Sequence, residues 1–457
     1  MNRKNLTALV VLAVLTVVAI VVLRQPEKGQ RVGDRPRPIP KLAAGSFDTL
    51  AVTKGSVTTI IKNEGGKYKV TAPVQFAADE NVAKQAFEAL EKLEFSDTVS
   101  DQKAKHAEFE VEDGKALKVV VKKGEQALAE LLIGKSVGGN TLVRAPGKDE
   151  VWNGLGSFRY NFDRDTTNWR DKTITKFTQG DAERIEAKGK GGTRIVVKND
   201  GGDKWSVVES TLPVPKFDNT VPTGIVSAMA ALVTNEFADD IKPEQAGLAD
   251  PATTLTVSLK GGKAVTLLIG NKKGDDDHYV KTADAPQIYL VKRYNIDRVD
   301  KRPIDFRDKS VCDIADAELG DISVTHDKDS YAVARDAKNK DEWKAIKPAG
   351  LAVESTKVNA IAGAFKDWKA AGFAENQDPK ASGLAKPKAV IVAHSKDKKK
   401  SCVLKIGDES KDKVNYAAQS GTAPDVYLLA KWATDRILVK VDDLKKGSIP
   451  AAAPSPH

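Results

Sequence analysis

Cysteine and histidine are scarce in this chain, which has two cysteines and five histidines among its 457 residues. So few of these residues exclude multi-cysteine zinc clusters, iron–sulfur centres and a disulfide-rich scaffold. The histidines are scattered, and no His-x-x-x-His or Cys-x-x-Cys spacing is present. The sequence therefore predicts no catalytic residue, no cofactor-binding residue, no metal ligand and no cofactor, and the chain is expected not to be an enzyme.

An excess of one charge is also missing. Lysine and arginine number 72 against 63 aspartates and glutamates, which leaves a net charge of +9. A dedicated nucleic-acid binder needs a dense basic face, so no nucleic-acid partner is predicted. The basic run Lys398-Lys399-Lys400 is interpreted as a solvated hairpin tip. The apolar fraction, 41%, excludes wholesale disorder, and the length favours about three domains.

Charged residues are absent from residues 6–23, an eighteen-residue run in which Thr7 and Thr16 are the only hydroxyl groups. As a helix this run would be about 27 Å long, enough to cross the hydrocarbon core of a bilayer. A cleaved signal peptide usually has a shorter run that ends in small residues, whereas residues 20–23 read Ile-Val-Val-Leu. Residues 1–24 are therefore predicted to be an uncleaved signal-anchor helix that crosses the membrane once.

The flanking residues predict the orientation of this anchor. Arg3 and Lys4 precede the run, and basic residues stay on the cytoplasmic side. The rest of the chain is expected across the inner membrane, in the periplasm if the source is a bacterium. Residues 25–45 hold four prolines and three glycines and are predicted to be a Pro/Arg-rich tether, either solvated or lying on anionic headgroups. Residues 447–457 are predicted to be a disordered tail.

Several short features recur at nearly one spacing. Ile-Gly pairs end at Gly134, Gly270 and Gly407, which are 136 and then 137 positions apart. The Gly-Leu-Ala-x-Pro sequence of residues 247–251 returns at 383–387, and its first counterpart, residues 108–111, has lost the motif. The chain is therefore predicted to contain three tandem repeat units of about 135 residues, each large enough for its own core. The predicted units are residues 46–177, 178–314 and 315–446.

Other positions recur with them. Aromatic residues end a short strand-like run in each unit, at Tyr68, Trp205 and Trp343. The sequence Trp169-Arg170-Asp171-Lys172 returns as Phe306-Arg307-Asp308-Lys309, whereas the third unit reads Asp443-Leu444-Lys445-Lys446.

The apolar spacing within each unit predicts one helix among short strands. Three apolar stripes have helical spacing: Val82, Ala86, Leu90 and Leu93; Ile225, Met229 and Leu232; Val358, Ile361, Phe365 and Trp368. β-rich runs joined by glycine-containing turns, such as residues 255–259 before Gly261-Gly262, predict antiparallel hairpins. The predicted fold class is α+β, with mainly antiparallel sheet packed on a helix in each unit.

Two local motifs resemble ligand-binding sites, but both are interpreted as turns. Gly134-Lys135-Ser136 resembles the end of a phosphate-binding loop, but that loop needs a glycine at position 129, which is alanine. A turn is favoured there. Asp275-Asp276-Asp277-His278 offers oxygen and imidazole ligands, yet the corresponding residues 138–141 offer none, so a solvated turn is favoured over a metal site.

The two cysteines, Cys312 and Cys402, would lie in an oxidising compartment, where a pair invites a disulfide. Their equivalents in the preceding unit, Thr175 and Val265, argue for separate positions, and Cys402 shares a strand face with Leu404 and Ile406. Two buried thiols are therefore favoured over a disulfide.

The order of these motifs resembles a bacterial family known as domain of unknown function 4340. The shared pattern is an anchor, an aromatic-ended hairpin, a helix, Gly-Leu-x-x-Pro, a strand closing in Ile-Gly, Val-Tyr and then Phe-Arg-Asp-Lys. The resemblance covers nearly all of residues 46–446. It implies anchored, outward-facing proteins whose genes accompany ABC-type exporters of the gliding-motility auxiliary class. It implies an accessory or assembly role, and it carries over no catalytic residue.

The leading functional hypothesis is a periplasmic binding or assembly protein, an accessory component of an ABC-type exporter or another envelope complex, held by residues 6–23 in the inner membrane. Linked weak sites would gain avidity from tandem repetition. Two alternatives stay open: an envelope hydrolase acting on polysaccharide or peptide through carboxylates that converge only in the fold, and a passive binder of cell-wall polymer.

Overall fold

Antiparallel β-strands make up most of the secondary structure in the computed structural model, which describes residues 37–447 apart from 327, 328, 337, 340, 341 and 422. The predicted signal anchor, the tether up to residue 36 and the predicted tail after residue 447 lie outside the described residues. Within the described part of the chain, no helix is long and apolar enough to cross a membrane. The chain divides into two compact units, Met1–Lys172 and Thr173–His457.

The first unit is built on one sheet of nine strands and one helix. Its elements are β1 (Thr49–Lys54), β2 (Val57–Glu64), β3 (Lys67–Ala72), β4 (Phe76–Ala77), α1 (Glu80–Glu91), β5 (Phe95–Ser100), β6 (Leu117–Lys123), β7 (Gln126–Val137), β8 (Asn140–Arg144) and β9 (Val151–Gly154). The strands pair in the order β4-β3-β2-β1-β6-β7-β8-β9-β5.

The second unit contains two sheets of eight strands. The segment that forms the first of these sheets begins with a short separate strand. Its elements are β10 (Thr173–Lys176), β11 (Ala182–Gly189), β12 (Arg194–Gly201), β13 (Lys204–Ser210), α2 (Thr220–Met229), β14 (Ala231–Val233), β15 (Glu236–Phe237), β16 (Thr253–Leu259), β17 (Lys263–Lys273), β18 (Asp277–Thr282), β19 (Tyr289–Lys292) and α3 (Arg293–Val299). The order is β13-β12-β11-β16-β17-β18-β19-β15, and β10 pairs separately with β14.

The remaining sheet occupies the C-terminal part of this unit. Its segment contains β20 (Ser310–Cys312), β21 (Leu319–Thr325), β22 (Tyr331–Arg335), β23 (Trp343–Lys347), α4 (Ser355–Ala362), β24 (Trp368–Lys369), β25 (Gly372–Phe373), β26 (Ala389–Ser395), β27 (Ser401–Glu409), β28 (Asn415–Ser420), β29 (Tyr427–Ala430) and α5 (Lys431–Asp435). The order is β23-β22-β21-β26-β27-β28-β29-β25, and β20 pairs with β24. Antiparallel sheets with few helices confirm the predicted α+β class.

Alternation of side chains along the strands separates the two faces of each sheet. In β16 the burial of Thr-Thr-Leu-Thr-Val-Ser-Leu alternates residue by residue, as a period of two requires. In β7, Leu131 and Ile133 join the core that contains α1. Leu132, between them, belongs to a separate cluster with Val111. A helix therefore covers one face of the first sheet, and the loop that contains Val111 covers the other.

The three predicted helices are present but shorter than their apolar stripes. In α1, Asp79 caps the N terminus by accepting hydrogen bonds from the backbone of Asn81 and Val82, both at 3.0 Å. Leu93, Leu232 and Trp368 lie beyond the helix ends, and Phe365 lies in a 3-10 turn. Predicting them as helical was wrong, because buried residues of the following turns and strands continued the apolar spacing into the same cores.

A loop that packs against each Ile-Gly pair explains why glycine recurs there. A Cβ atom at Gly134, Gly270 or Gly407 would collide with the carbonyl oxygen of Phe109, Ala246 or Ser382, respectively. The next residue along the strand donates its backbone N–H to that same oxygen, at 3.1 Å from Lys135, 2.8 Å from Asn271 and 2.9 Å from Asp408.

The lost motif of residues 108–111 keeps the same backbone. Glu110 has a φ of +59°, the left-handed conformation that Gly247 and Gly383 adopt at +68° and +73°. The buried residue that follows donates to the carbonyl five positions earlier in each loop: Val111 to His106, Leu248 to Pro243 and Leu384 to Pro379. The sequence differs in the first loop, but the local geometry does not.

Candidate functional site

Gly134-Lys135-Ser136 does not form a turn, so that interpretation was wrong. The three residues lie within β7, where the pairing with β8 is irregular between Ile133 and Ser136. The irregularity lets Gly134 receive the loop at Phe109. Residues 134–138 also have Gly-x-Ser-x-Gly spacing, but a nucleophile elbow needs a strand-to-helix turn, and this segment leads into the β7–β8 hairpin.

The acidic segment before β18 is a turn only in part. The turn covers residues 274–276, whereas Asp277 and His278 begin the strand. Lys292 donates to Asp277 Oδ2 at 3.0 Å. His278 is buried, and burial followed by the charge of Lys272 lowers its pKa. Among the described residues, no group of three histidine, cysteine or acidic side chains is placed to hold a metal ion.

Cys312 and Cys402 form a disulfide, so the prediction of two separate thiols was wrong. Their Cα atoms are 5.6 Å apart and the residues are 90 positions apart in sequence. The apolar character of both positions was read correctly, since both residues are buried in the core of the third sheet. The pairing arises because β20 lies against β27, a contact that the repeat alignment alone does not reveal.

Lys398, Lys399 and Lys400 form the tip between β26 and β27, as predicted. Their ammonium groups are paired. Lys398 contacts Asp321, Lys400 Nζ lies 2.6 Å from Glu318 Oε2, and Lys399 Nζ lies 3.9 Å from Asp397 Oδ2. The tip is therefore not an uncompensated basic patch.

A six-residue motif that the sequence analysis missed marks the strongest candidate site. It reads Arg-Tyr-Asn-Phe-Asp-Arg at residues 159–164, Arg-Tyr-Asn-Ile-Asp-Arg at 293–298 and Lys-Trp-Ala-Thr-Asp-Arg at 431–436. We call these segments turns 1, 2 and 3. They begin 134 and then 138 positions apart. The near-identity of turns 1 and 2 is the signal that would have revealed them, but it matches no catalytic or metal-binding motif.

Each turn is a short helical segment with one buried and one exposed side. The fourth residue, Phe162, Ile296 or Thr434, is at most 1% exposed and anchors the turn. The second residue projects outward: Tyr160 is 63% exposed, Tyr294 66% and Trp432 60%. An exposed aromatic ring at the same point of three sheets is unusual, because large apolar side chains are normally buried.

An ion pair across one helical turn holds each segment in shape. The first and fifth residues pair in all three turns: Arg159 Nε to Asp163 Oδ2 at 3.2 Å, Arg293 Nε to Asp297 Oδ2 at 3.5 Å, and Lys431 Nζ to Asp435 Oδ2 at 3.7 Å. These pairs are partly exposed and add little stability by themselves.

The sixth residue is an arginine in all three turns. Among the described residues, no carboxylate lies within ion-pairing distance of Arg164, Arg298 or Arg436. In turns 2 and 3 the aromatic residue and this arginine are four positions apart along a helix and so share a helix face. In turn 1, Tyr160 and Arg164 line the same cavity. In turn 3 the Arg436 guanidinium carbon lies 5.0 Å from the centre of the Trp432 ring. Each turn thus presents an aromatic ring beside an arginine that is available to a ligand.

Neighbouring charges fix the ionisation of the supporting residues. In turn 1, burial alone would raise the pKa of Asp163, but hydrogen bonds from Lys54 and Arg159 lower it below its ordinary value. Lys54 Nζ lies 3.1 Å from Asp163 Oδ1. In turn 3 a hydrogen bond to Glu409, at 2.7 Å, is the main cause that raises the pKa of Lys431. These groups stay charged at neutral pH.

Comparison with known proteins identifies one family. A model of the family described as "Domain of unknown function (DUF4340)" matches residues 69–251 and 216–387, which together cover more than half of the chain. No curated protein matches the sequence of this chain.

The chain is similar to two solved structures, both from Pseudomonas aeruginosa. DNA polymerase III subunit beta is 9% identical, with 86% of this chain and 93% of that chain covered and a TM-score of 0.13. A DNA polymerase sliding clamp with ligand is 8% identical, with the same coverage and a TM-score of 0.12. At these TM-scores neither likeness carries an argument.

Proposed function

This chain belongs to the DUF4340 family, and we propose that it is a membrane-anchored, periplasmic binding and assembly protein that serves an ABC-type exporter or another envelope complex. The proposed anchor is the uncharged run of residues 6–23. The proposed contact sites are turns 1, 2 and 3, one beside each of the three sheets. The Cys312–Cys402 disulfide supports an oxidising compartment, where such bonds persist.

We further propose that the chain consists of three copies of one unit. Two observations support this: the family model matches two successive regions, and the three sheets share one strand order, with β4 as the extra strand of the first. Three copies would present three equivalent turns. Linked sites of modest affinity raise overall avidity when they engage one assembly together.

The recurrence of an exposed aromatic ring beside an available arginine is the observation that carries the proposal. Tyrosine, tryptophan and arginine are the residues that most often dominate binding energy at protein interfaces. Each ring stands on a turn that is anchored by a buried residue, so little conformational entropy is lost when a partner binds. A surface whose only role is solubility would not need an exposed aromatic ring at the same place in all three sheets.

Affinity capture from solubilised membranes tests the proposal. The full chain should recover a subunit of an ABC-type exporter or another defined envelope complex in stoichiometric amount. A triple variant, Tyr160→Ala, Tyr294→Ala and Trp432→Ala, should lose that partner. A matched control, Val57→Ala, Val208→Ala and Ile346→Ala, removes exposed apolar side chains elsewhere, which are 48%, 57% and 60% exposed, and should keep it.

Recovery of the chain alone would contradict the proposal, as would equal recovery of the partner by both triple variants. Recovery of cell-wall polymer in place of protein would favour the passive binder. Turnover of polysaccharide or peptide by the purified chain would favour the hydrolase.

A further inference from the structure

A cavity of about 430 Å³ lies beside turn 1. Ser136 from β7 and Ser157 from the segment before the turn line one part of it. The turn itself contributes Arg159, Tyr160, Asp163 and Arg164, and Asn168 follows. The cavity therefore combines the candidate site with hydroxyl and amide groups from outside it.

Arg164 is the cationic side chain of this cavity that has an unsatisfied buried donor. Its Nε atom is buried and has no hydrogen-bond partner among the described residues. No described carboxylate forms an ion pair with it. A buried donor without a partner is costly unless something else satisfies it.

The other polar groups add donors. Asn168 Oδ1 accepts a hydrogen bond from Lys172 Nζ at 2.7 Å, which leaves the two amide hydrogens of Asn168 to donate. The hydroxyl of Ser157 can donate as well. Thr141 donates to the carbonyl of Gly156, so Ser136 is the donor in its 3.4 Å contact with Thr141 Oγ1 and can donate to a ligand by leaving that long contact. Four side chains of the cavity wall therefore offer N–H or O–H groups.

Asp163 is the one carboxylate on the cavity wall, and its charge is already compensated. Lys54 Nζ lies 3.1 Å from Asp163 Oδ1, and Arg159 Nε lies 3.2 Å from Asp163 Oδ2. Arg159 also contacts Glu110. Lys54 Nζ also lies 3.1 Å from Asp165 Oδ1. Lys54 and Arg159 thus serve all three carboxylates, and Arg164 is the cation on the cavity wall with which no described carboxylate forms an ion pair.

We propose that this cavity binds an oxyanion, a carboxylate or phosphate group, with Arg164 as its principal ligand. A planar guanidinium can donate two parallel N–H bonds to such a group, and Asn168, Ser136 and Ser157 supply further donors. This inference rests on the proposed function, because Tyr160 and Arg164 belong to turn 1, and it names the ligand chemistry of that turn. Tyr160 at the rim would contact the remainder of the ligand.

Calorimetric titration of the full chain in detergent tests the inference. The probes are sodium phosphate and, separately, sodium acetate, each against sodium chloride of equal ionic strength. Saturable binding of phosphate, acetate or both is expected and identifies the preferred oxyanion. Arg164→Gln should weaken it about tenfold or more, because a charged hydrogen bond is lost. Arg184→Gln, the same change on β11 outside the three turns, at an arginine that is 36% exposed, should leave the affinity unchanged.

A second variant covers the case in which Arg164→Gln does not fold. Arg164→Lys keeps the charge but loses the planar pair of donors, and it should also weaken binding. Absence of saturable binding of either anion, or an equal loss in the Arg164 and Arg184 variants, would overturn the inference.

The two proposals can fail separately. If the aromatic triple variant loses its captured partner while no anion binds, the oxyanion site is wrong and the binding role stands. If anion binding depends on Arg164 but the aromatic triple variant still captures the partner, the oxyanion site stands and the proposed binding role of the three turns is wrong.

Discussion

Gly134, Gly270 and Gly407 carry no side chain because a loop lies directly against each of them. The sequence shows these positions as a recurring Ile-Gly pair but gives no reason for the glycine. The reason is a close approach between β7, β17 or β27 and a loop far away in sequence. Conversely, Glu110 hides the equivalence of the first loop, because an acidic residue occupies a left-handed position that the later loops give to glycine.

Gly270→Ala should destabilise the second sheet by about 1–3 kcal/mol, because the added methyl group forces the backbone at Ala246 to move. Gly224→Ala is the matched control within the same unit. It lies in α2 with no atom within 4 Å of the added Cβ, and it should stabilise the chain by about 0.5–1 kcal/mol. Urea unfolding measures both changes, and a stabilising Gly270→Ala would contradict the close approach.

Asp336 provides a pH-dependent test at the end of β22. A hydrogen bond from Lys344, followed by the backbone N–H groups of Asn339 and Lys338, lowers the pKa of Asp336 to about 2. A lowered folded-state pKa stabilises the fold above the ordinary value near 3.8, and this stabilisation disappears as the pH falls towards 2.

Asp336→Asn should therefore be less stable than the wild-type chain at neutral pH, and the difference should shrink between about pH 4 and pH 2. Urea midpoints followed by the fluorescence of Trp343, which lies on the neighbouring strand, measure it. A stability difference that stays constant over this range would contradict the assignment.

At the level of elements, hairpins and helix starts follow from local sequence, whereas pairings between distant segments do not. The alternation of residues 253–259 predicts β16 directly. The Arg-Asp-Lys motif, by contrast, reveals its role only in the fold. The Arg307 guanidinium donates to the Asp425 carboxylate and, through Nε, to the carbonyl of Pro213 at 2.9 Å. It thereby joins the segment before β20 to the loop before β29.

Removing one partner of this buried pair should strongly lower the stability of the fold. Asp425→Ala should cost about 3–5 kcal/mol, because it leaves the Arg307 charge buried and unpaired. Asp250→Ala is the control: Lys190 and Asp250 are also paired, at 2.7 Å, but are 66% and 77% exposed, and the loss should be below about 1 kcal/mol. Equal losses from the two changes, measured by urea unfolding, would contradict the interlocking role of Arg307.

Turns 1, 2 and 3 show what motif-based reasoning overlooks. The sequences of turns 1 and 2 are nearly identical, yet the feature that makes all three turns a candidate site is the exposure of an aromatic ring, which sequence alone does not give. A tyrosine in a short helical segment is as compatible with burial as with exposure. Only the position of the buried fourth residue, such as Phe162, determines that Tyr160 points outward.

For the whole molecule, the spacing of apolar residues and the glycine-containing turns predicted the fold class, and the motif order predicted the family. Neither predicted the disulfide, because the approach of Cys312 to Cys402 depends on how β20 lies against β27. Placement in the membrane remains a prediction from residues 1–24, since Arg3 and Lys4 precede the uncharged run.

Protease treatment of intact spheroplasts should remove an epitope placed at residues 447–457 while cytoplasmic markers survive. The physical reason is that the chain after residue 24 is expected across the membrane. Protection of the epitope would reverse the orientation. Release of a soluble, shortened chain without protease would mean that the run is a cleaved signal peptide.

The central claim is that each of the three turns is a binding site for the same partner assembly, and the dissociation rate of the captured partner tests it most directly. Chains lacking one, two or all three rings of Tyr160, Tyr294 and Trp432 are compared by surface plasmon resonance. We expect dissociation to become about tenfold faster with each ring removed, because the proposed partner would bury each ring as an anchor at the interface. Equal dissociation rates in all the variants would contradict the account.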